Sequence, residues 1–511
     1  MPAPPPPPPA DTTGAYGPSL AGSAVISRID TGAIAPIHSP TISVPQYASR
    51  HFPPARHIAT GDFNGDGLKD IVTCPSYFSS KPKMACEFWL NRGGGRFSLG
   101  TSEVVDGPLP LIAGTNSLFV ADFNGDGRDD VVALNQGIEG KDPNDLEVDR
   151  EVNIVFLSQP NGKLRDTTAT SLPVNPPGFH HPSSMGDLDG DGDLDMAVCE
   201  LGGKDRSGVF LLVNDGQGRF TRETASLPEE LRSNPRGAPL LAGEDYLGCG
   251  SVVIADLDGD GRPEIAAATY IGGTWPSVQR VLRIYKRGSG GQYTRAAQIP
   301  LPASFGPTGP GSGNQVGVSH LLAGDLNGDG RRDLVVWGEA PWGASNHLVI
   351  LRNEGGLAFS DVSVASLGST QPWGLYGGSL DGGGTTGLVD LNGDGHLDIV
   401  LYQALQHPQL ANYSPFLLND GQGRFKPWVP LIGGTRYRGT GGLNDAQWVS
   451  LLGIPYTNPT ALLMFDATGD GKPDWVFYDG LVPNPGLEPA RLINGSYVDF
   501  VVFLRVVRQL P

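Results

Sequence analysis

One nonapeptide recurs seven times in this chain of 511 residues, and it limits the possible folds more than any other feature of the sequence. It reads DFNGDGLKD at Asp62–Asp70, DFNGDGRDD at Asp122–Asp130, DLDGDGDLD at Asp187–Asp195 and DLDGDGRPE at Asp256–Glu264. It returns as DLNGDGRRD at Asp325–Asp333, DLNGDGHLD at Asp390–Asp398 and DATGDGKPD at Asp466–Asp474. Successive first aspartates lie 60, 65, 69, 69, 65 and 76 residues apart. Length alone suggests three or four domains, but a period this regular means an array of one supersecondary unit.

The flanks repeat as well. Short apolar runs precede the motif, such as SLFVAD, SVVIAD, HLLAGD and ALLMFD, and others follow it, such as DIVTC, DVVAL, DMAVC and DIVLY. They are β-branched or aromatic, four to six residues long, and bounded by Asp/Gly turns, so they predict buried strands. Each nonapeptide is then the loop between two antiparallel strands. A third strand ends in an Asn/Gly turn, as in Glu87–Phe97, Val209–Phe220, Val349–Phe359 and Pro415–Phe425, and a fourth begins at the Phe. Four strands per repeat are the content of a propeller blade.

The chain is therefore expected to be all-β: a seven-bladed β-propeller of four-stranded antiparallel blades over residues 26–511, preceded by a Pro-rich extended or disordered tail over residues 1–25. The last repeat runs out of chain after its third strand, Val498–Val507. Thr41–Tyr47 sits where other repeats place a fourth strand, so an N-terminal strand is expected to complete the last blade and close the ring without a free edge.

Side-chain oxygens stand at positions 1, 3, 5 and 9 of the motif, position 7 offers its backbone carbonyl, and glycines at 4 and 6 allow the tight turn. Hard oxygen donors at alternate positions of a Gly-containing loop are what Ca²⁺ requires. The candidate ligands are Asp62, Asn64, Asp66, Leu68 and Asp70, then Asp122, Asn124, Asp126, Arg128 and Asp130, then Asp187, Asp189, Asp191, Asp193 and Asp195. The fourth and fifth loops offer Asp256, Asp258, Asp260, Arg262 and Glu264, and Asp325, Asn327, Asp329, Arg331 and Asp333. The last two offer Asp390, Asn392, Asp394, His396 and Asp398, and Asp466, Thr468, Asp470, Lys472 and Asp474. Thr468 makes the seventh the poorest donor set, and Glu264 and Pro263 make the fourth atypical. Positions 1, 3, 5 and 9 hold 23 of the 54 acidic residues, and up to seven Ca²⁺, one per blade, would bring the formal charge from −18 to about −4. An EF-hand is disfavoured, because no Glu stands at position 12 and a strand follows instead of a helix.

These motifs resemble the FG-GAP/VCBS repeat family, which includes the propeller at the head of integrin α subunits. The resemblance covers about residues 40–511, and the DxNGDGxxD form is closest to bacterial VCBS-type repeats. It implies a seven-bladed propeller with Ca²⁺ between the first two strands of a blade, extracellular or cell-surface placement, and a role in adhesion or ligand binding.

Composition narrows the partners. Net acidity argues against nucleic acid, whose binders cluster Lys and Arg to meet phosphates. No stretch of about 20 apolar residues exists, so no membrane insertion is expected. The first residues, MPAPPPPPPADTTGAYGPS, show no basic start or apolar core of a signal peptide. Cys74, Cys86, Cys199 and Cys249 form no C-x-x-C pair and fit either one or two disulfides or four buried thiols. Cys74 and Cys86 fall on consecutive strands and are the better-placed pair.

A glycan or protein ligand is expected at loops on one propeller face. Trp275, Trp342, Trp373 and Tyr376 stand in Gly-rich loops after second strands, where exposed rings could stack on sugars or anchor a protein, unless they pack between blades. The acidic stretch Gly137–Glu151 reads as a solvated excursion, the pair His180 and His181 as incidental, and Asn412 and Asn494 as glycosylation acceptors only in a glycosylating host. Gly382–Gly387 matches G-x-G-x-x-G but leads into a strand, so it is no nucleotide site. No H-E-x-x-H or G-x-S-x-G occurs. The sequence favours a binding or adhesion module over an enzyme. A propeller-based polysaccharide lyase or hydrolase, and a structural subunit of a surface filament or toxin assembly docking through the Pro-rich tail, stand as alternatives.

Overall fold

The computed structural model describes residues 36–38, 55–76, 83, 85–112, 114–136, 151–201, 207–232, 249–271, 279–302, 317–339, 347–368, 386–401, 416–428, 431–432, 435–436, 459–471, 473–483, 492–493, 496–497 and 500–507. The runs around each motif are strands, as their β-branched content predicts. Blade 1 comprises Ala55–Gly61, Asp70–Ser76, Glu87–Asn91 and Phe97–Leu99. Blade 2 comprises Thr115–Ala121, Asp130–Asn135, Ile154–Ser158 and Leu164–Asp166. Blade 3 comprises His180–Gly186, Asp195–Leu201, Ser207–Asn214 and Phe220–Glu223. Blade 4 comprises Cys249–Ala255, Glu264–Ile271, Gln279–Arg287 and Tyr293–Pro300. Blade 5 comprises Gly317–Gly324, Asp333–Glu339, His347–Gly355 and Ala358–Asp361. Blade 6 comprises Thr386–Val389, Asp398–Leu401, Phe416–Asn419 and Phe425–Trp428. In each the strands follow sequence order, so every blade is an antiparallel meander of a β-propeller.

The seventh motif sits in a sheet of different make. Pro459–Phe465 and Asp474–Pro483 pair with each other, Phe500–Val507 joins the second, and Pro36–His38 pairs with Phe500–Val507. The expectation of seven like blades is corrected to this extent: six blades take four consecutive strands, whereas this sheet draws on both ends of the chain. The N-terminal strand in it is Pro36–His38. Thr41–Tyr47, expected in that place, lies outside the described residues, as does the tail 1–25.

All seven motifs hold one register. The residue before position 1 pairs with position 9: Gly61 with Asp70, Ala121 with Asp130, Gly186 with Asp195, Ala255 with Glu264, Gly324 with Asp333, Val389 with Asp398 and Phe465 with Asp474.

Blades bury both faces against their neighbours, so second strands are continuous apolar runs, and Asp130–Asn135 is buried at every residue. Alternate residues serve alternate sides. Val131 and Ala133 pack with Phe88 of blade 1, whereas Val132 and Leu134 pack with Met196 and Phe210 of blade 3. The pattern continues through Ala197 with Ile265, Ala266 with Leu334, and Val335 with Ile399. Ile71 and Trp89 of blade 1 pack with Ala467 of the seventh loop and Val476 of the strand that follows it. Each Val, Leu, Ile, Met or Phe side chain among them contributes about 1.5–3 kcal/mol on burial, so these faces carry the fold. Two disulfides settle the cysteine alternatives: Cys74–Cys86 lies within blade 1, and Cys199–Cys249 ties the second strand of blade 3 to the first of blade 4.

Candidate metal centres

The seven loops close alike over their described residues because the same residue types recur at the same positions. Glycines at positions 4 and 6 take φ between 73° and 95°, which a residue with a Cβ adopts at a cost. The chain then wraps around the first aspartate. Its Oδ2 accepts the position-6 N–H at 2.7–3.1 Å in every loop. Its Oδ1 accepts the position-4 N–H in six of the loops, for example from Gly65 at 2.8 Å and Gly328 at 2.8 Å, and in the second the Asp126 N–H instead. The position-5 aspartate accepts the N–H of position 7 from Leu68, Arg128, Asp193, Arg262, Arg331 and His396 at 2.8–3.0 Å. Lys472, the seventh member of that set, lies outside the described residues. Where position 3 is Asn, as at Asn64, Asn327 and Asn392, its amide donates to the second oxygen of the position-5 aspartate at 2.9 Å. Asn124 instead donates to Ser158.

The acid at position 9 is fully or almost fully buried in all seven loops. One oxygen accepts the N–H of position 2: from Phe63, Phe123, Leu188, Leu257, Leu326, Leu391 and Ala467 at 2.8–3.1 Å. The other accepts the N–H at the end of the third strand, from Asn91, Ser158, Asn214, Asn353 and Asn419 at 2.6–2.8 Å. Expected from the sequence to serve only as a metal ligand, this acid also clamps the loop to the third strand. Burial pushes the carboxyls of Asp70, Asp130 and Asp195 up to about 6 and that of Asp398 up to about 7, in opposition to these donated N–H groups. Asp333 and Asp474 rise for the same reason. A nearby cation would reverse that direction, because it favours the charged form.

The third loop suits a divalent ion best. Carboxylate oxygens of Asp187, Asp189 and Asp195 lie within 4.8 Å of one another. Asp189 Oδ1 is buried with no hydrogen-bond partner, an orphaned acceptor of the kind that a hard cation satisfies. Burial and the neighbouring Asp191 push the Asp189 carboxyl up. In the seventh loop Asp474 Oδ1 is likewise buried and unpartnered among the described residues. Loops 2 and 5 carry a guanidinium on one outer oxygen: Arg128 Nη2 lies 2.6 Å from Asp126 Oδ2, and Arg331 Nη2 2.5 Å from Asp329 Oδ2. Asp122 and Asp130 also act on the Arg128 guanidinium through their charge. Among the described residues, loop 4 alone has a cationic side chain among three of its acids: Lys286 contacts Asp258, Asp260 and Glu264. Carboxylate oxygens of Asp256, Asp258 and Asp260 also lie within 4.8 Å of one another, so loop 4 has converging acids but holds an ammonium among them.

One group of residues escaped the sequence reading. The asparagine ending the third strand donates its side-chain amide to the position-2 carbonyl of the preceding loop: Asn91 to Ala467, Asn214 to Phe123, Asn353 to Leu257 and Asn419 to Leu326, at 2.7–2.9 Å. Their recurrence before each Gly-rich turn was the available signal, and it served there only to mark hairpins.

Of the other sequence candidates, Trp275, Trp342, Trp373 and Tyr376, the stretch 137–150, and Asn412 and Asn494 lie outside the described residues. Trp337, from one of the same aromatic loops, is a buried strand residue. His180 and His181 open the first strand of blade 3, and His180 is 1% exposed. Gly387 lies in the strand Thr386–Val389. No helix among the described residues is long and apolar enough to cross a membrane.

A model of the FG-GAP-like repeat matches residues 62–133, 187–267, 256–336 and 325–401, together more than half of the chain. Each match begins at the first aspartate of one nonapeptide and runs past the end of the next. No curated protein matches the chain.

Proposed function

The chain belongs to the FG-GAP-like repeat family, and on that premise we propose that it is a calcium-stabilised, extracellular binding or adhesion module. The observation that carries this reading is the common register of the motif: the same oxygens recur at the same rungs of the ladder in every sheet. Asp187, Asp189, Asp191 and Asp195 would hold the ion in loop 3, and the matching residues would do so in loops 1, 2, 5, 6 and 7. A bound divalent ion supplies positive charge to a cluster of carboxylates that otherwise repel one another. The residues then keep the loop closed and the position-9 clamp engaged, so ion binding stabilises the folded state.

The sheet that carries the seventh motif serves in this proposal as the seventh blade, with Pro36–His38 closing the ring. Propellers present ligands with loops on one face, and a glycan or protein recognised through the loops after the second strands is the expected partner. Extracellular placement is supported by the family and by two disulfides, which persist in oxidising compartments. The test is an array of glycans and proteins probed with the full chain in calcium and in chelator. Calcium-dependent capture of one ligand class supports the proposal, and equal signals in both conditions contradict it.

A further inference from the structure

The fourth loop departs from the others at several linked points. In the ladder Tyr285 pairs with Ile265, as Trp89 pairs with Ile71 in blade 1. One residue on, blades 1, 2, 3 and 6 carry Leu90, Leu157, Val213 and Leu418, whereas blade 4 carries Lys286. Arg352, in that place in blade 5, turns away to Glu354. Lys286 turns inward. Its Nζ lies 2.8 Å from Asp260 Oδ2, 3.6 Å from Glu264 Oε1, and in contact with Asp258 Oδ2. These are positions 5, 9 and 3 of the motif. The clamp has changed with it. Arg287 stands where other blades have Asn or Ser, and the bond to the preceding loop comes instead from Tyr293, whose hydroxyl donates to the Leu188 carbonyl at 3.2 Å.

We infer that the Lys286 ammonium takes the place of the divalent ion in the fourth loop, so that this loop is closed by a residue of the chain itself and takes up no metal. An ammonium offers three N–H donors; two meet Asp258 and Asp260, and Glu264 Oε1 lies within ion-pair reach at 3.6 Å without a hydrogen bond. Its positive charge also repels a second cation from the same oxygens. Glu264 fits this arrangement: its extra methylene relative to aspartate carries Oε1 toward Nζ while Oε2 keeps the position-2 N–H at 2.8 Å. The contrast with the other loops rests on the calcium reading above, but the role of Lys286 in closing its own loop does not.

The test uses the full chain, with bound calcium counted by elemental analysis after gel filtration and Tm read in calcium and in chelator. Asp258→Asn with Asp260→Asn leaves the ion count unchanged, whereas Asp189→Asn with Asp191→Asn lowers it by one. Lys286→Gln lowers Tm in chelator and gains one ion, and calcium recovers the lost Tm. Lys286→Arg keeps the wild-type ion count. Loss of an ion in the Asp258/Asp260 variant overturns the inference and leaves the calcium reading standing, and that arm decides the matter if Lys286→Gln does not fold. A wild-type chain that binds no calcium defeats the calcium reading instead. Lys286→Gln in chelator then decides: a lower Tm supports the inference, and an unchanged Tm overturns it.

Discussion

The side-chain amide of Asn91 donates to the backbone carbonyl of Ala467 at 2.9 Å, across 376 positions of sequence. Both groups are buried. The bond joins blade 1 to the loop of the last motif, and the same bond recurs between blades 3 and 2, 5 and 4, and 6 and 5. One polar contact, repeated, thus sets how a blade meets the loop of the one before it.

Asn353→Ala tests that contact. It removes the 2.8 Å bond to the Leu257 carbonyl, leaving a buried acceptor without its donor, together with the local bonds to the Arg332 carbonyl and from the Gly355 N–H. An unsatisfied buried group costs about 1–3 kcal/mol, so denaturant unfolding is expected to lose stability in that range. Asn161→Ala, in an exposed turn, is expected to change it by less than about 0.5 kcal/mol. Equal effects from the two variants would remove the amide from the account.

The two disulfides should differ in weight. Cys199–Cys249 closes a separation of 50 residues and Cys74–Cys86 one of 12. Chain entropy gives about 4 kcal/mol for the longer loop and about 3 kcal/mol for the shorter. Cys199→Ala with Cys249→Ala is therefore expected to lower stability more than Cys74→Ala with Cys86→Ala. The reverse order would show that the bridge between blades 3 and 4 adds little to packing already present.

Acid sensitivity should come in part from His57, His181 and His320, on the first strands of blades 1, 3 and 5. Burial lowers His57 and His181 to about 4 and His320 to about 3, and His57 and His181 act on His320 in the same direction. A base with a depressed folded pKa stabilises the fold fully above its unfolded value near 6.5 and loses that stability as pH falls toward the folded value. His320→Gln is expected to shift acid unfolding to lower pH, with the difference from wild type opening below pH 6.5. The limiting slope is roughly 1.4 kcal/mol per pH unit for a single group. Parallel curves from pH 7 to 4 would mean that His320 already reaches water and protons freely.

Much of this architecture could be read from the sequence, because its information is local. Asp62–Asp70 carries its own turn glycines, and the apolar runs around it name both strands. That is why the register at Gly61 and Asp70 returns in all seven motifs. What stayed hidden depends on distance or on a side chain's reach. Asn91 reads as a hairpin residue until Ala467 is placed beside it. Lys286 is not singled out by the sequence, because its partner Asp260 lies 26 residues earlier, on the other side of a strand. The clamp made by Asp70 was hidden for a related reason: its partner, the N–H of Asn91, lies on another strand.

Counting the calcium bound by the full chain, with Tm followed through chelation, tests the central claim most directly. The account predicts one ion for each motif other than the fourth and a Tm that falls when the ions are stripped and returns when they are restored. A chain that elutes without metal from calcium-containing buffer and melts at the same temperature in chelator would contradict it.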